Sequence, residues 1–237
     1  MKYALLSDTG QARENNEDCA RALPERGLFV IADGMGGHVA GEVASRVATE
    51  SFILSVEKHP RPRRIRQESA VLAHALDEAN QAVLSEAHSS ELHGMGTTLT
   101  AALIRGRTLS VAHLGDTRAY FVREQMLRLV TKDHTVVGLM VRSGLLDEEE
   151  ARMHPERHML LQALGTQEEI EPDVFQVRIP ARARILLSSD GLHDVVPSEE
   201  ILECARVADL KQAARGLVNV ANARGGPDNV TVLLIDP

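Results

Sequence analysis

The chain has 237 residues, of which 43% are hydrophobic and 25% charged, a composition typical of a folded globular protein rather than a disordered one. Its 34 Asp and Glu residues outnumber its 26 Lys and Arg residues, and the resulting net charge of −8 argues against binding to nucleic acid or anionic membranes. The sequence has four Phe, two Tyr and no Trp, which predicts an aliphatic core. So few aromatic residues also argue against a surface on which nucleic-acid bases stack.

Short aliphatic runs bounded by Gly, Asp and Asn predict β-strands, which in chain order cover 28–32, 97–104, 109–113, 118–122, 174–179, 184–188 and 229–235. Several of these runs are one tight turn apart, which favours antiparallel hairpins over parallel crossovers. Apolar residues at helical spacing predict helices at 39–56, 67–87 and 209–223. Because the pattern continues without a break in composition, we expect one α+β domain spanning residues 1–237.

Cysteine content and hydropathy indicate the compartment. The two cysteines, Cys19 and Cys204, cannot form a disulfide framework and have no metal-type pair spacing. Asp8 interrupts the N-terminal apolar stretch too early for a signal peptide, and no apolar run approaches the ~20 residues that cross a bilayer. We therefore expect a cytoplasmic protein that does not insert into a membrane. We also expect it to be a monomer.

Four acidic residues, each close to a glycine, stand at the ends of predicted strands: Asp33, Asp116, Asp190 and Asp228. For any one of them an ordinary turn is a sufficient explanation, because Asp-Gly is a common hairpin signal. As a set they indicate more, since clustered carboxylates repel one another unless a cation lies among them. Ligands that offer only oxygen favour Mg²⁺ or Mn²⁺ over Zn²⁺.

Arg13 lies in an N-terminal segment that also carries Glu17 and Asp18. It could form a salt bridge to the acidic cluster, or its planar guanidinium could hold a tetrahedral oxyanion through two parallel hydrogen bonds. Metal ions combined with one positioned arginine suggest phosphoryl chemistry.

With these features in place, the sequence resembles the metal-dependent serine/threonine protein phosphatases of the PPM (PP2C-like) family, in their compact bacterial form. The resemblance runs from end to end and rests on seven motifs in the family's order: 8–18 (Asp8-Thr9-Gly10 to Asn16-Glu17-Asp18), 32–38 (Ala32-Asp33-Gly34-Met35-Gly36-Gly37-His38), 94–99, 113–120, 131–135, 187–192 and 226–232. The resemblance implies a central β-sandwich of two antiparallel sheets flanked by helix pairs, with helices 39–56 and 67–87 on one sheet and helix 209–223 on the other.

The resemblance also implies which residues bind two or three Mn²⁺ or Mg²⁺ ions. Asp33 would bridge two ions and the Gly34 carbonyl would ligate the second. Asp190 and Asp228 would ligate the first ion, and Asp116 would join Asp190 at a third.

Other residues would act around these ions. Glu17 and Asp18 would hold metal-bound water, Asn229 would orient a neighbouring loop or a ligating water, and Arg13 would bind the substrate phosphate. The implied reaction is direct hydrolysis of phosphoserine or phosphothreonine by a hydroxide that bridges two ions, without a phosphoenzyme.

One position departs from the eukaryotic members, which carry a proton-donating histidine directly after Asp-Gly. Met35 stands there in this sequence and cannot donate a proton. His38 is the candidate general acid, with a purely packing role as the alternative. Residues 133–165 resemble the mobile flap of the family and are predicted to contain two short helices.

The expected partners are phosphorylated proteins and a bacterial Ser/Thr kinase that the phosphatase opposes. Two other functions stay open at this point. One is an inactive relative that binds phosphoproteins as a regulatory module, and the other is a phosphoesterase for a small molecule.

Overall fold

The computed structural model describes residues 1–36, 40–59, 66–89 and 92–237. Its eleven described strands are β1 (Lys2–Asp8), β2 (Asp18–Leu23), β3 (Leu28–Met35), β4 (Gly96–Thr97), β5 (Leu99–Arg105), β6 (Thr108–Leu114), β7 (Arg118–Arg123), β8 (Met126–Leu129), β9 (Asp173–Arg178), β10 (Arg184–Ser188) and β11 (Val230–Asp236). The described helices are α1 (Ala40–Lys58), α2 (Arg66–Ser89), α3 (Val136–Arg142), α4 (Glu148–Met153), α5 (Asp190–His193), α6 (Ser198–Ala205) and α7 (Leu210–Ala223).

The strands form two antiparallel sheets. One has the order β1-β11-β10-β7-β8, and the other has the order β2-β3-β5-β6-β9, with the short β4 pairing β3. Their facing sides share a core of aliphatic residues and two phenylalanines, Phe29 and Phe121. The predicted sandwich of two antiparallel sheets is confirmed.

Helices cover the outer face of each sheet. The core under α1 and α2 contains Leu28 and Val30 of β3, whereas Phe29 and Ile31 of the same strand point into the core between the sheets. Both faces of β3 are therefore covered, which is why its sequence is a continuous apolar run rather than an alternating one. On the other sheet, α6 and α7 pack over β1, β10 and β11.

The predicted strands and the three long helices are present with small shifts at their ends, except that the strand predicted at 97–104 is divided into β4 and β5. Three strands escaped prediction. β1, β2 and β8 are edge or near-edge strands with few fully buried residues, so their apolar pattern is weak. β1 matters for the site because it pairs with β11 from Lys2↔Asp236 to Asp8↔Val230. This pairing joins the two ends of the chain and places the loop that follows Asp8 beside the loop that precedes β11.

The segment predicted as a flap, 133–165, contains α3 and α4, in agreement with the two short helices expected there. Two isolated β-bridges involve this segment. One joins Thr135 to Leu160 within it, and the other joins Leu164 to Thr97 of β4. Among the helices that the structure describes, none has both the length and the apolar character of a membrane span.

A buried chain of hydrogen bonds ties the start of the flap to the β6–β7 turn. The Nε2 atom of His113 lies 2.9 Å from the carbonyl oxygen of Lys132, which can only accept, so Nε2 carries the proton. Nδ1 then accepts from the Thr100 hydroxyl at 2.8 Å, and Thr100 in turn accepts from the Thr117 hydroxyl at 2.7 Å. Burial lowers the pKa of His113 to about 4, consistent with this neutral ring. The chain fixes the residue that follows Asp116.

We expect Thr100→Val to destabilise the fold by about 1–3 kcal/mol, because it leaves His113 Nδ1 and the Thr117 hydroxyl buried without this partner. Thr100→Ser keeps the hydroxyl and loses one methyl group, so its cost should be smaller, about 1 kcal/mol. Urea unfolding of the two variants measures the difference. If Thr100→Val destabilised the fold no more than Thr100→Ser, the assigned hydrogen-bond chain would be contradicted.

Candidate metal centre

Four carboxylates predicted as metal ligands come together at one end of the sandwich. Asp33 lies near the end of β3, Asp116 in the β6–β7 turn, Asp190 at the start of α5 and Asp228 immediately before β11. All four line one cavity of about 580 Å³. The structure thus brings together residues that are up to 195 positions apart in the sequence, from Asp33 to Asp228.

The other predicted site residues lie at the same place. The cavity wall also contains Arg13, Glu17, Gly34 and Asn229. Asp18 is paired in register with Asp33 across β2 and β3, so its carboxylate lies close behind the wall. His38 lies outside the described residues.

The carboxylates raise one another's pKa values. Burial and then repulsion by Asp18, Asp190, Asp116 and Asp228 raise the pKa of Asp33 well above its ordinary value. For Asp190 the causes are again burial first and neighbouring carboxylates second, and its pKa is also raised well above the ordinary value.

The shift is moderate at two further positions. Burial is the main cause in both, and it raises the pKa of Asp116 to about 7 and that of Asp18 to about 6. A cluster of this kind is unfavourable when all its members are ionised, and a cation among them would reverse the balance.

The residues present fit a divalent metal. The Oδ1 atoms of Asp18 and Asp190 are buried and have no hydrogen-bond partner, which is costly for carboxylate oxygens unless something positive approaches them. Carboxylates predominate among the potential ligands that line the cavity, with His158 as the one imidazole in its described wall, and carboxylate oxygens are the hard ligands that Mg²⁺ and Mn²⁺ prefer.

Arg13 forms an ion pair with this cluster, its Nη2 donating to Asp228 Oδ2 at 2.7 Å. Of the two roles open for Arg13 from the sequence, the salt bridge is the one that the structure contains. The guanidinium makes a single bond there and its side chain is 52% exposed at the mouth of the cavity, so its remaining N–H groups face solvent.

Asn229 braces the N-terminal loop against the metal end of the sandwich. Its Nδ2 donates to the carbonyl oxygens of Thr9 and Asn15, both at 2.9 Å, while its Oδ1 accepts from the backbone N–H of Glu17 at 2.8 Å. All three bonds join Asn229 to the N-terminal loop, and its role in orienting that loop or a ligating water stays a prediction. They fix the backbone of Glu17 and of the loop that carries Arg13 relative to Asn229.

Gly34 allows helix α1 to approach the site closely. A Cβ atom at this position would lie 2.0 Å from the carbonyl oxygen of Gly41, and one at Gly41 would lie 2.2 Å from Glu17 Oε2. Both positions must therefore be glycine, because the backbone of β3, the start of α1 and the Glu17 carboxylate share one narrow space.

Sequence reasoning missed two residues of the centre, His158 and Asp194. His158 Nδ1 lies 3.1 Å from Asp194 Oδ2 and 3.9 Å from Asp190 Oδ2. Within the described part of the chain, this trio is the only group of three potential ligands whose donor atoms all lie within 4.8 Å of one another. Asp194, four residues after Asp190, could have been found from helical spacing, whereas nothing in the spacing of His158 in the flap indicates its position.

The sequence is similar to those of known phosphatases over nearly its whole length. Residues 10–231 match the family model for protein phosphatase 2C. The serine/threonine protein phosphatase PstP of Mycobacterium tuberculosis H37Rv is 40% identical over all 237 residues, and this chain spans 45% of its length. The serine/threonine phosphatase Stp of Listeria monocytogenes is 35% identical, and the match covers 100% of this chain and 96% of Stp.

Solved structures give the same result in three dimensions. The catalytic domain of PstP, crystallised in complex with two manganese ions, superposes with a TM-score of 0.87 and is 38% identical over 98% of this chain and 96% of that one. Sequence similarity over nearly the whole chain, and the same two-sheet architecture around the acidic cavity, show that this chain belongs to the protein phosphatase 2C family.

Proposed function

We propose that this chain is a metal-dependent protein phosphatase that hydrolyses phosphoserine and phosphothreonine. The observation that carries the proposal is the cavity lined by Asp33, Asp116, Asp190 and Asp228, whose mutual repulsion calls for divalent cations. The names of the relatives supply the substrate class, since PstP and Stp are serine/threonine phosphatases.

We propose that Asp33, Asp190 and Asp228 bind two metal ions, with the Gly34 carbonyl as a further ligand and Asp116 at a third site. Bound divalent cations lower the pKa of water and neutralise charge on phosphoryl oxygens, which is the chemistry that phosphate-ester hydrolysis requires. The manganese-containing PstP structure supports Mn²⁺, and Mg²⁺ would suit the same oxygen ligands.

The protein's own residues would bind and orient the substrate. Arg13, which lines the cavity, donates one N–H to Asp228 and has further N–H groups that would donate to phosphate oxygens. Glu17 and Asp18 would accept hydrogen bonds from water near the ions. His38 stays the predicted proton donor for the leaving alcohol, since the thioether of Met35 cannot serve. Opposition to a Ser/Thr kinase, a monomeric state and a cytoplasmic location stay predictions.

We expect wild-type protein to release phosphate from a phosphothreonine peptide with Mn²⁺ or Mg²⁺ and to stop when EDTA is added. Asp33→Asn should lower kcat by about 100-fold or more, because it removes the charge of a carboxylate that would hold the metal ions. Asp77→Asn, a change of the same kind at an exposed position on α2, is the matched control and should leave kcat unchanged.

The activity test is decisive in both directions. Retention of most activity by Asp33→Asn would remove the proposed metal assignment. Failure of the folded, metal-supplied wild type to hydrolyse any phosphopeptide would contradict the phosphatase proposal and favour a phosphoprotein-binding role or a small-molecule substrate.

Metal binding should also stabilise the fold in a pH-dependent way. The pKa values of Asp18 and Asp116 in the folded protein, about 6 and about 7, lie above those of unfolded aspartates. Without metal, the stability that these groups contribute is present at low pH and is lost as pH rises through these values. Mn²⁺ would compete with the proton for the Asp116 oxygens, and Asp18 accepts hydrogen bonds from water near the ions best when ionised, so Mn²⁺ should bind better at higher pH.

We expect saturating Mn²⁺ to raise Tm by about 5–10 °C near pH 8 and by less near pH 6, the size that follows from ligand concentrations about 100-fold above Kd. Thermal unfolding followed by circular dichroism, with EDTA as the reference, measures the shift at each pH. An equal shift at both pH values would mean that metal binding does not depend on the ionisation of Asp18 and Asp116.

A further inference from the structure

A second cavity, of about 480 Å³, lies beside the metal cavity. It is formed by the end of the β7–β8 hairpin, helices α3 and α4 of the flap, and the region of α5 and α6. We call it the basic groove, because five Arg and Lys side chains line it: Arg118, Arg128, Lys132, Arg142 and Arg157. Its wall also includes aliphatic residues, namely Leu127, Leu129, Val137, Val141 and Ala151.

The charge of the groove is opposite to that of the whole protein. The chain carries a net charge of −8, yet five cationic residues meet three aspartates in this wall, Asp116, Asp133 and Asp194. Asp116 and Asp194 also line the metal cavity, so their negative charges act in both cavities. Asp133 forms an ion pair with Arg118. The Nε atom of Arg118 lies 3.0 and 3.1 Å from the two carboxylate oxygens of Asp133.

Four cations of the groove are left for a ligand. Arg128, Lys132, Arg142 and Arg157 are all exposed, and none forms an ion pair with a described side chain. The Arg128 guanidinium lies 5.1 Å from the ring centroid of Phe121, and Arg142 donates to the Asp133 carbonyl oxygen at 2.7 Å. These contacts orient the two guanidinium groups without neutralising them.

The groove and the metal cavity adjoin each other and share four lining residues. Asp116, Arg157, His158 and Asp194 line both of them. An extended peptide whose phosphorylated residue enters the metal cavity could therefore pass these shared residues and place its neighbouring side chains in the groove. Aliphatic wall residues would contact the peptide backbone and side-chain stems, and the four cations would face its charged groups.

We propose that the basic groove binds Asp and Glu side chains that flank the phosphorylated residue, and so makes this protein select phosphorylation sites in acidic sequences. The proposal rests on the phosphatase function proposed above. The groove would carry a positive electrostatic potential on a protein that is acidic overall. This potential would attract acidic peptide segments and repel basic ones.

The test compares three substrates with Mn²⁺: a phosphothreonine peptide flanked by Asp and Glu, the same peptide with Asn and Gln in their place, and phenyl phosphate. We expect wild-type kcat/KM to be higher for the acidic peptide than for the neutral one, with the advantage falling as NaCl is added. Lys132→Gln and Arg128→Gln should each lower kcat/KM for the acidic peptide by about two- to five-fold. Neither should change kcat/KM for the neutral peptide or for phenyl phosphate.

Two controls separate the groove from general effects on the fold. Arg123→Gln removes a cation from the turn end of the same hairpin, outside the groove, and should leave all three substrates unaffected. Lys132→Arg keeps the charge and should retain the preference for the acidic peptide.

Equal kcat/KM of the wild type for acidic and neutral peptides would overturn the proposal, and so would an equal loss on both peptides in Lys132→Gln. A fourth substrate, the neutral peptide with a second phosphorylated residue, is assayed beside these three. A preference for it without a preference for Asp and Glu would also overturn the proposal, because the groove would then recognise phosphate. If no substrate is hydrolysed, the phosphatase proposal fails. Binding of the two labelled peptides is then measured by fluorescence anisotropy. Tighter binding of the acidic peptide, weakened by Lys132→Gln, would support the groove proposal. Equal binding of the two peptides would overturn it.

Discussion

Repulsion among buried carboxylates is the constraint on which the rest of this site depends. Burial is the first cause that raises the pKa of Asp18, Asp33, Asp116 and Asp190, and repulsion by neighbouring carboxylates raises it further in each case. A fold gains nothing in stability from such an arrangement, since unpaired buried charge is strongly unfavourable. The cluster is therefore best understood as a centre that divalent cations complete.

The sandwich provides the rigidity that holds these groups against their repulsion. Each carboxylate stands at or next to the end of a strand whose backbone is fixed by its neighbours in the sheet. The β1–β11 pairing brings the N-terminal loop to Asp228, and Asn229 fastens that loop with three hydrogen bonds. The buried chain from Thr117 through His113 to Lys132 connects the metal end to the flap, which also forms one wall of the basic groove.

Much of this could be predicted from the sequence because the decisive signals are local. The Asp-Gly pairs at strand ends mark Asp33 and Asp190 directly, and continuous apolar runs mark strands covered on both faces. What escaped prediction depends on contacts across long distances in the chain. Edge strand β1 has a weak pattern of its own, and His158 reaches Asp194 only because the flap folds back over α5. The bond between Arg13 and Asp228 joins residues 215 positions apart.

The most direct measurement is the anomalous scattering of a crystal of the wild-type protein grown with Mn²⁺, collected at the manganese absorption edge. We expect at least two anomalous peaks within ligand distance, about 2.0–2.2 Å, of carboxylate oxygens of Asp33, Asp190 and Asp228. Asp33→Asn crystals should lose at least one of these peaks. A wild-type crystal with saturating Mn²⁺ and no peak among these carboxylates would contradict the assignment of the cluster as a metal centre.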